Sequence, residues 1–255
     1  MIGLVSVVSL AVASAVSARK FTVTNNCPYT VWPGMYTNLQ VGTAVPSQPN
    51  GWEQAAGATV SFTVPDKWTS GRIWGRTGCD FSSNQGPTSC ATGGCNGGLV
   101  CDASTGTGVP PATVAEWTLN GDQDLDYYDV SVVDGFNIPI KVTLSDGACS
   151  TASCPANLNT NCPAKLQVKD SKGTVVGCNS ACNANVDGSQ ANSPNCCTGS
   201  HNTAATCAPS GVSDYDFFKN GCPDSYVYAY DESSGTALWT CPASNSPDYT
   251  VTFCP

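Results

Sequence analysis

Apolar and polar residues alternate in short runs at 20–26 (KFTVTNN), 58–64 (ATVSFTV), 113–119 (TVAEWTL), 127–133 (YYDVSVV), 138–144 (IPIKVTL) and 248–254 (DYTVTFC). A period of two with many β-branched residues predicts half-buried strands. Clusters of Gly, Pro, Asn and Asp separate the runs and predict turns. Many short strands with turns between them describe a mainly β protein, an antiparallel sandwich or a barrel. Helical periodicity is weak, and SDYDFFKNGC at 213–222 is the best candidate for a short helix. No internal repeat is visible.

Two segments break the pattern. Residues 79–105 hold Cys79, Cys90, Cys95 and Cys101 among glycines, and residues 149–222 hold nine cysteines among polar stretches. Neither can fill a core with its own side chains, so both are expected as loop-rich lobes stapled by disulfides onto a β-sandwich. The expected organisation is one domain over 19–255. Its sandwich core spans 19–78, 106–148 and 223–255, with a small lobe at 79–105 and a Cys-rich lobe at 149–222.

The first eighteen residues form an apolar run ending in small residues, with Val16 and Ala18 at the −3 and −1 places of a cleavage site. They are expected to be a secretory signal peptide. All sixteen cysteines lie beyond it. An even count in a secreted chain points to disulfides. Metal binding is the weaker reading: Cys178 and Cys182 have C-x3-C spacing, but there are no paired C-x2-C knuckles and one histidine, His201. The adjacent Cys196 and Cys197 cannot readily pair with each other. No cofactor or metal is expected.

Charged residues make up 11% of the chain and the net charge is −9. An acidic surface repels nucleic acid and anionic lipid, so a neutral or cationic ligand is favoured. No later stretch is long and apolar enough to span a bilayer, and no N-x-S/T sequon occurs.

The acids are crowded at NGDQDLDYYDVSVVDGFN, where Asp122, Asp124, Asp126, Asp129 and Asp134 fall together. Within TVAEWTL, Trp117 and Leu119 mark the core face, so Glu116 points away. A hairpin turning near Asp122–Gln123 puts Glu116 opposite Asp129, or one step from it. Directly opposed side chains have Cβ atoms roughly 4.5–5.5 Å apart, and carboxylates that close raise one another's pKa. Asp134 can join them only if the strand ends or bulges near Val133, which Gly135 allows. The plainer reading is an exposed acidic hairpin edge. A calcium loop fits poorly, because Tyr127 stands where the glycine belongs and Val133 where the closing glutamate belongs.

With His201 in a cysteine-rich loop, a Ser–His or Cys–His hydrolase is disfavoured, and no phosphate-binding loop appears. Carboxylates alone suffice for glycoside hydrolysis. Six Trp and nine Tyr could stack on sugars, although most will be core.

The segments NNCPYTVWPG, GRIWGRTGCDF, CATGGCNGGLVC, GVPPATVAEWTLN, DVSVVDGFNIPI, NCPAKLQV, FFKNGCPDSYVYAYDE and YTVTFCP, in that order, resemble the thaumatin-like protein family from about Phe21 to Pro255. The resemblance implies eight disulfides: Cys27 with Cys254, Cys79 with Cys90, Cys95 with Cys101, Cys149 with Cys241, Cys154 with Cys222, Cys162 with Cys178, Cys182 with Cys196, and Cys197 with Cys207. It also implies a cleft between sandwich and larger lobe, lined by Arg72, Glu116, Asp129 and Asp134. The fifth position falls on Glu232, where the family usually has aspartate, and neighbouring Asp231 could take the place instead. Asp122, Asp124 and Asp126 are then left as a solvated turn. Gly94 is a second departure, standing where the family usually has aspartate.

The resemblance further implies a secreted protein of the cell wall or extracellular space that binds β-1,3-glucan as a monomer. Some members cleave it as endo-β-1,3-glucanases, while others are antifungal or defence proteins without clear catalysis. A third possibility is a protein–protein module that inhibits another hydrolase. For catalysis, Glu116 is the expected general acid and Asp134 the base or nucleophile, with Asp129 the second choice. Arg72 is expected to hold one acid ionised, with Glu232 or Asp231 binding substrate.

Overall fold

The computed structural model describes residues 18–255. The expected signal peptide lies outside the described residues except for Ala18, where the first strand begins. In β1 (Ala18–Asn25) Arg19, Phe21, Val23 and Asn25 are buried and the residues between them are open or half-open. β1 pairs antiparallel with β3 (Thr59–Pro65) and parallel with β12 (Tyr249–Phe253). β12 continues to β7 (Ile140–Leu144), and β7 to β8 (Ala152–Cys154), completing a five-stranded sheet. The second sheet runs in the order β11 (Trp239–Pro242), β6 (Leu125–Ser131), β5 (Val114–Thr118), β4 (Gly71–Arg76) and β2 (Trp32–Thr37), antiparallel throughout.

The two sheets form the expected antiparallel sandwich, with one parallel pair, β1 and β12. Parallel strands need a long crossover, and for β1 and β12 that crossover is nearly the whole chain. The Cys27–Cys254 disulfide closes just beyond the pair, across 227 residues.

One hydrophobic cluster joins the two sheets. Phe21 from the first meets Trp117 from the second edge-on, ring centroids 5.1 Å apart, and Trp117 stacks on Trp68 at 5.8 Å. Burying a side chain of this size contributes about 1.5–3 kcal/mol.

The six alternating runs correspond to β1, β3, β5, β6, β7 and β12. β2, β4, β8 and β11 carry no such signal, nor does the separate hairpin of β9 (Gln167–Lys169) and β10 (Val175–Cys178). β4 shows why: nearly every position is buried, so nothing alternates. Its glycines also allow close approach. A Cβ at Gly71 would lie 2.1 Å from the Trp68 ring, and one at Gly75 2.3 Å from Ile138.

Residues 79–105 form no strand of their own; the chain is held by Cys79–Cys90, Cys95–Cys101 and one 3-10 turn, Pro87–Ser89. The buried Arg76 donates from this side of β4 to the carbonyls of Gly98 and Leu99, each at 2.7 Å, and to those of Trp32 and Pro33. Burial without a carboxylate partner lowers its pKa to about 10. In the second cysteine-rich segment, β8 still belongs to the sandwich, so the chain leaves the first sheet only after Cys154. Cys149–Cys241 and Cys154–Cys222 fasten the base, while Cys162–Cys178, Cys182–Cys196 and Cys197–Cys207 lie within. Its helix α1 (Tyr215–Gly221) falls inside the stretch expected to be helical.

Asp126 departs from its expected place. It is not part of a solvated turn but wholly buried, paired with Arg19 Nη1 at 2.8 Å. β6 starts at Leu125, so Asp126 lies on the strand and faces the core. Asp122 and Asp124 remain exposed in a 3-10 turn.

Candidate functional site: an acidic cleft on the second sheet

Three neighbouring strands present one row of outward side chains. Arg72 on β4 is registered with Glu116 on β5, and Glu116 with Asp129 on β6. Trp117 and Leu119 take the core face, leaving Glu116 half-buried on the other. β6 ends at Ser131, two residues before the alternating pattern stops, because the Val132 N–H is taken by the Tyr226 carbonyl at 2.8 Å. The following turn, with Gly135 at φ +85°, returns Asp134 to the same side as Asp129. The opposite wall comes from the segment returning from the larger lobe, where Tyr226, Ala229 and Glu232 line the space. The cleft encloses about 380 Å³.

Arg72 faces four carboxyl groups here: Glu116, Asp129, Asp134 and Glu232. Its Nη2 lies 2.9 Å from Glu116 Oε1 and its Nη1 3.8 Å from Asp134 Oδ2. Asp129 receives no such contact, and its buried Oδ1 has no hydrogen-bond partner. Loss of solvent raises the Glu116 pKa, with Arg72 pulling it back and Asp134 adding to the rise. Asp129 is pushed well above the usual carboxylate range, first by burial and then by the charges of Glu116 and Glu232. Burial also raises Asp134, against the pull of Arg72. The Tyr226 hydroxyl is raised by burial and by Glu232 and Asp129.

The Glu116–Asp129 pair is therefore a place where a proton is retained above the pH at which free carboxyls lose theirs. Coupled carboxyls titrate as a pair, and the retained proton belongs to both. Arg72, expected to hold one acid ionised, contacts two: Asp134, the expected base or nucleophile, and at shorter range Glu116.

Asp231 is not in the cleft. It is wholly buried and accepts from Lys219 Nζ at 3.1 Å, Tyr215 OH at 2.8 Å and the Val227 N–H at 3.0 Å, so its charge is spent fastening the lobe. Tyr226 and Ser131 line the cleft without having been singled out from the sequence. The signal for Tyr226 was its place four residues after Cys222 in GCPDSYVYAYDE, which only the parallel bridge to Ser131 turns into a position. His201 lies half-buried on a 3-10 turn, its Nδ1 3.0 Å from the Thr206 carbonyl. Asp146, Cys149 and Cys241 gather potential ligand atoms, but both sulfurs are committed to one disulfide.

The model of the Thaumatin family matches residues 25–255, and the chain belongs to that family. It is 45% identical to Thaumatin-like protein 1 of Pyrus pyrifolia, over all of this chain and 98% of that protein. It is 43% identical to a protein of Prunus avium named glucan endo-1,3-beta-glucosidase, over 97% and 96% of the two chains. Pathogenesis-related protein 5 of Arabidopsis thaliana is 44% identical over 94% of this chain and 92% of its own length.

Proposed function

We propose that this protein is a secreted endo-acting hydrolase of β-1,3-glucan, with the cleft carboxyls as its chemical groups. The observation that carries the reading is the Glu116–Asp129 pair, directly opposed across β5 and β6, with an unpartnered Asp129 oxygen. Such a pair keeps a proton that a glycosidic oxygen can take on leaving. Glu116 delivers it, since a third of its side chain is open to the cleft. Asp129 holds it in reserve. Asp134, 44% open and beside Arg72, serves as base or nucleophile. Glu232 and Tyr226 line the facing wall where the sugar lies. Eight disulfides suit an oxidising, extracellular setting, and the glucosidase name of the Prunus avium relative agrees with the substrate class.

A second reading, glucan binding without hydrolysis in a defence role, is favoured by one contact. Arg72 at 2.9 Å draws on the same Glu116 that would have to carry the proton. The deciding experiment measures reducing-end release from a soluble β-1,3-glucan between about pH 4 and 6, the range set by a base and a raised acid, beside retention on insoluble glucan. Release with retention supports hydrolysis. Retention without release transfers the protein to the binding reading, and neither would end the glucan assignment.

A further inference from the structure

The cleft does not stop at the acid pair. Glu116 and Asp129 also border a second basin of about 250 Å³, walled by Ser70, Thr118, Tyr127 and Leu238. Its position follows from the strand registers. Thr118 pairs with Tyr127 just as Glu116 pairs with Asp129, so the two pairs are successive outward rows of one sheet. Two residues along a strand advance roughly 7 Å, a step on the scale of one sugar ring. The acid pair therefore lies between two hollows.

We propose that this second basin is a sugar subsite, with Tyr127 as its stacking platform and Leu238 as its apolar rim, so that a glucan chain crosses the acid pair. The inference rests on the glucan reading of the cleft and adds where the rest of the chain goes.

The aromatic ring is held in place. The Tyr127 hydroxyl donates to the Asp122 carbonyl at 3.2 Å, and the ring edge lies against Gly121, where a Cβ would come within 3.3 Å of it. Thr118 Oγ1 is drawn toward the Ser70 N–H at 3.3 Å. Leu238 is 38% exposed, one of few large apolar side chains open to solvent. Tyr127 is the aromatic in this basin that core packing does not claim, half-buried where Trp117 behind it is buried. A fixed ring, an apolar rim and hydroxyls suit the apolar face and edge hydroxyls of a neutral sugar. Both basins sharing the acid pair also gives a physical basis for cleavage inside a chain.

The test compares β-1,3-linked glucose trisaccharide and hexasaccharide by calorimetry, on full-length protein carrying Glu116→Gln so that the sugar is not consumed. The hexasaccharide is expected to bind more tightly than the trisaccharide. Adding Tyr127→Ala should remove about 5- to 20-fold of hexasaccharide affinity, the order expected for one buried ring face. Trisaccharide affinity should fall by less, because a short sugar can lie in the first basin alone, and Tyr127→Phe should restore most of the loss. Leu238→Ser, at an exposed position, probes the same basin should Tyr127→Ala reduce the yield of folded protein, and should likewise weaken the longer sugar more than the shorter. Equal affinity of the two sugars in the Glu116→Gln parent, or equal losses for both on mutation, would overturn the subsite and leave the glucan reading standing. Binding of neither sugar by the parent overturns both.

Discussion

Asp126 and Asp129 sit three positions apart on β6, one facing the core between the sheets and the other the cleft. Asp126 is wholly buried and fully partnered: Arg19 at 2.8 Å, the Tyr249 hydroxyl at 2.9 Å and the Asn120 N–H at 2.8 Å. Arg19 in turn reaches Asp66 and the carbonyls of Pro247 and Ala243. Asp129 has one buried oxygen with no partner and two acids for neighbours. Removal from water costs both carboxyls. For Asp126 the cost is met by charge-assisted bonds that tie the first strand to the last part of the chain. For Asp129 it is met by keeping a proton. The satisfied acid fastens the fold, and the unsatisfied one, lining the cleft, is the group to which the proposed function assigns a reserve of acidity.

The sharpest way to break that contrast is to remove the proton that the proposed hydrolysis draws from the cleft. Glu116→Gln keeps the shape of the row but cannot donate, so hydrolysis should fall by about 10²–10⁴-fold. That corresponds to about 2.7–5.4 kcal/mol of transition-state stabilisation. Retention on insoluble glucan should persist. Initial rates of reducing-end release measure the loss, and the parental rate would remove Glu116 from the donor role.

The matching change on the core face should act on stability. Asp126→Ala strands Arg19 beside a gap and orphans the Tyr249 hydroxyl. Breaking a buried pair by removing one partner costs about 3–5 kcal/mol. Chemical denaturation should show a loss of that order, while the pH profile of glucan release by the surviving folded protein keeps its shape. A loss below about 1 kcal/mol would mean that Asp66 alone can hold Arg19.

Asp129→Asn should move stability the other way. A carboxyl whose pKa is raised on folding binds its proton more tightly in the native state. Its favourable contribution is therefore fully present below the unfolded-chain pKa and is lost as pH rises through the raised native value. Above the unfolded-chain value the raised Asp129 pKa is a net cost that grows with pH, by about 1.4 kcal/mol per pH unit until the raised native value is passed. Replacing it with a neutral amide should raise Tm at pH 7 by about 2–4 °C per kcal/mol regained, with the gain fading toward pH 4. Melting curves across that range measure it; a gain independent of pH would point to packing instead.

These contrasts were unevenly legible in the sequence. Alternation gave Glu116 and Trp117 their opposite faces, and the turn at Asp122–Gln123 put Glu116 opposite Asp129 or one step from it, a choice that the pairing of β5 with β6 makes. Strands that pack on both faces were invisible, because β4 buries nearly every position and spends Gly71 and Gly75 on close contacts. The role of Asp126 was missed because its partner, Arg19, lies 107 residues away. No local pattern encodes that pairing. The choice between Asp231 and Glu232 stayed open for a similar reason, since Lys219, Tyr215 and the Val227 amide decide it in space.

The smallest effect belongs to Asp122, seven positions before Asp129 on the same hairpin. Its side chain is exposed and makes one polar contact, from Gln123 Nε2 at 3.3 Å. The group that holds Tyr127 is its backbone carbonyl, which substitution leaves in place. Asp122→Asn removes one negative charge from the hairpin without touching the row of Arg72, Glu116 and Asp129. Exposed charges are screened beyond roughly 8 Å at physiological ionic strength, and surface changes away from special features stay within about 0.5 kcal/mol. Stability and hydrolysis should both remain parental, including the position of the pH optimum. A shift of that optimum at low salt that disappears at high salt would mean that the summed field of the acidic hairpin tunes the Glu116–Asp129 pair. The difference between Asp122 and Asp129 would then be one of degree, rather than of which oxygen lacks a partner.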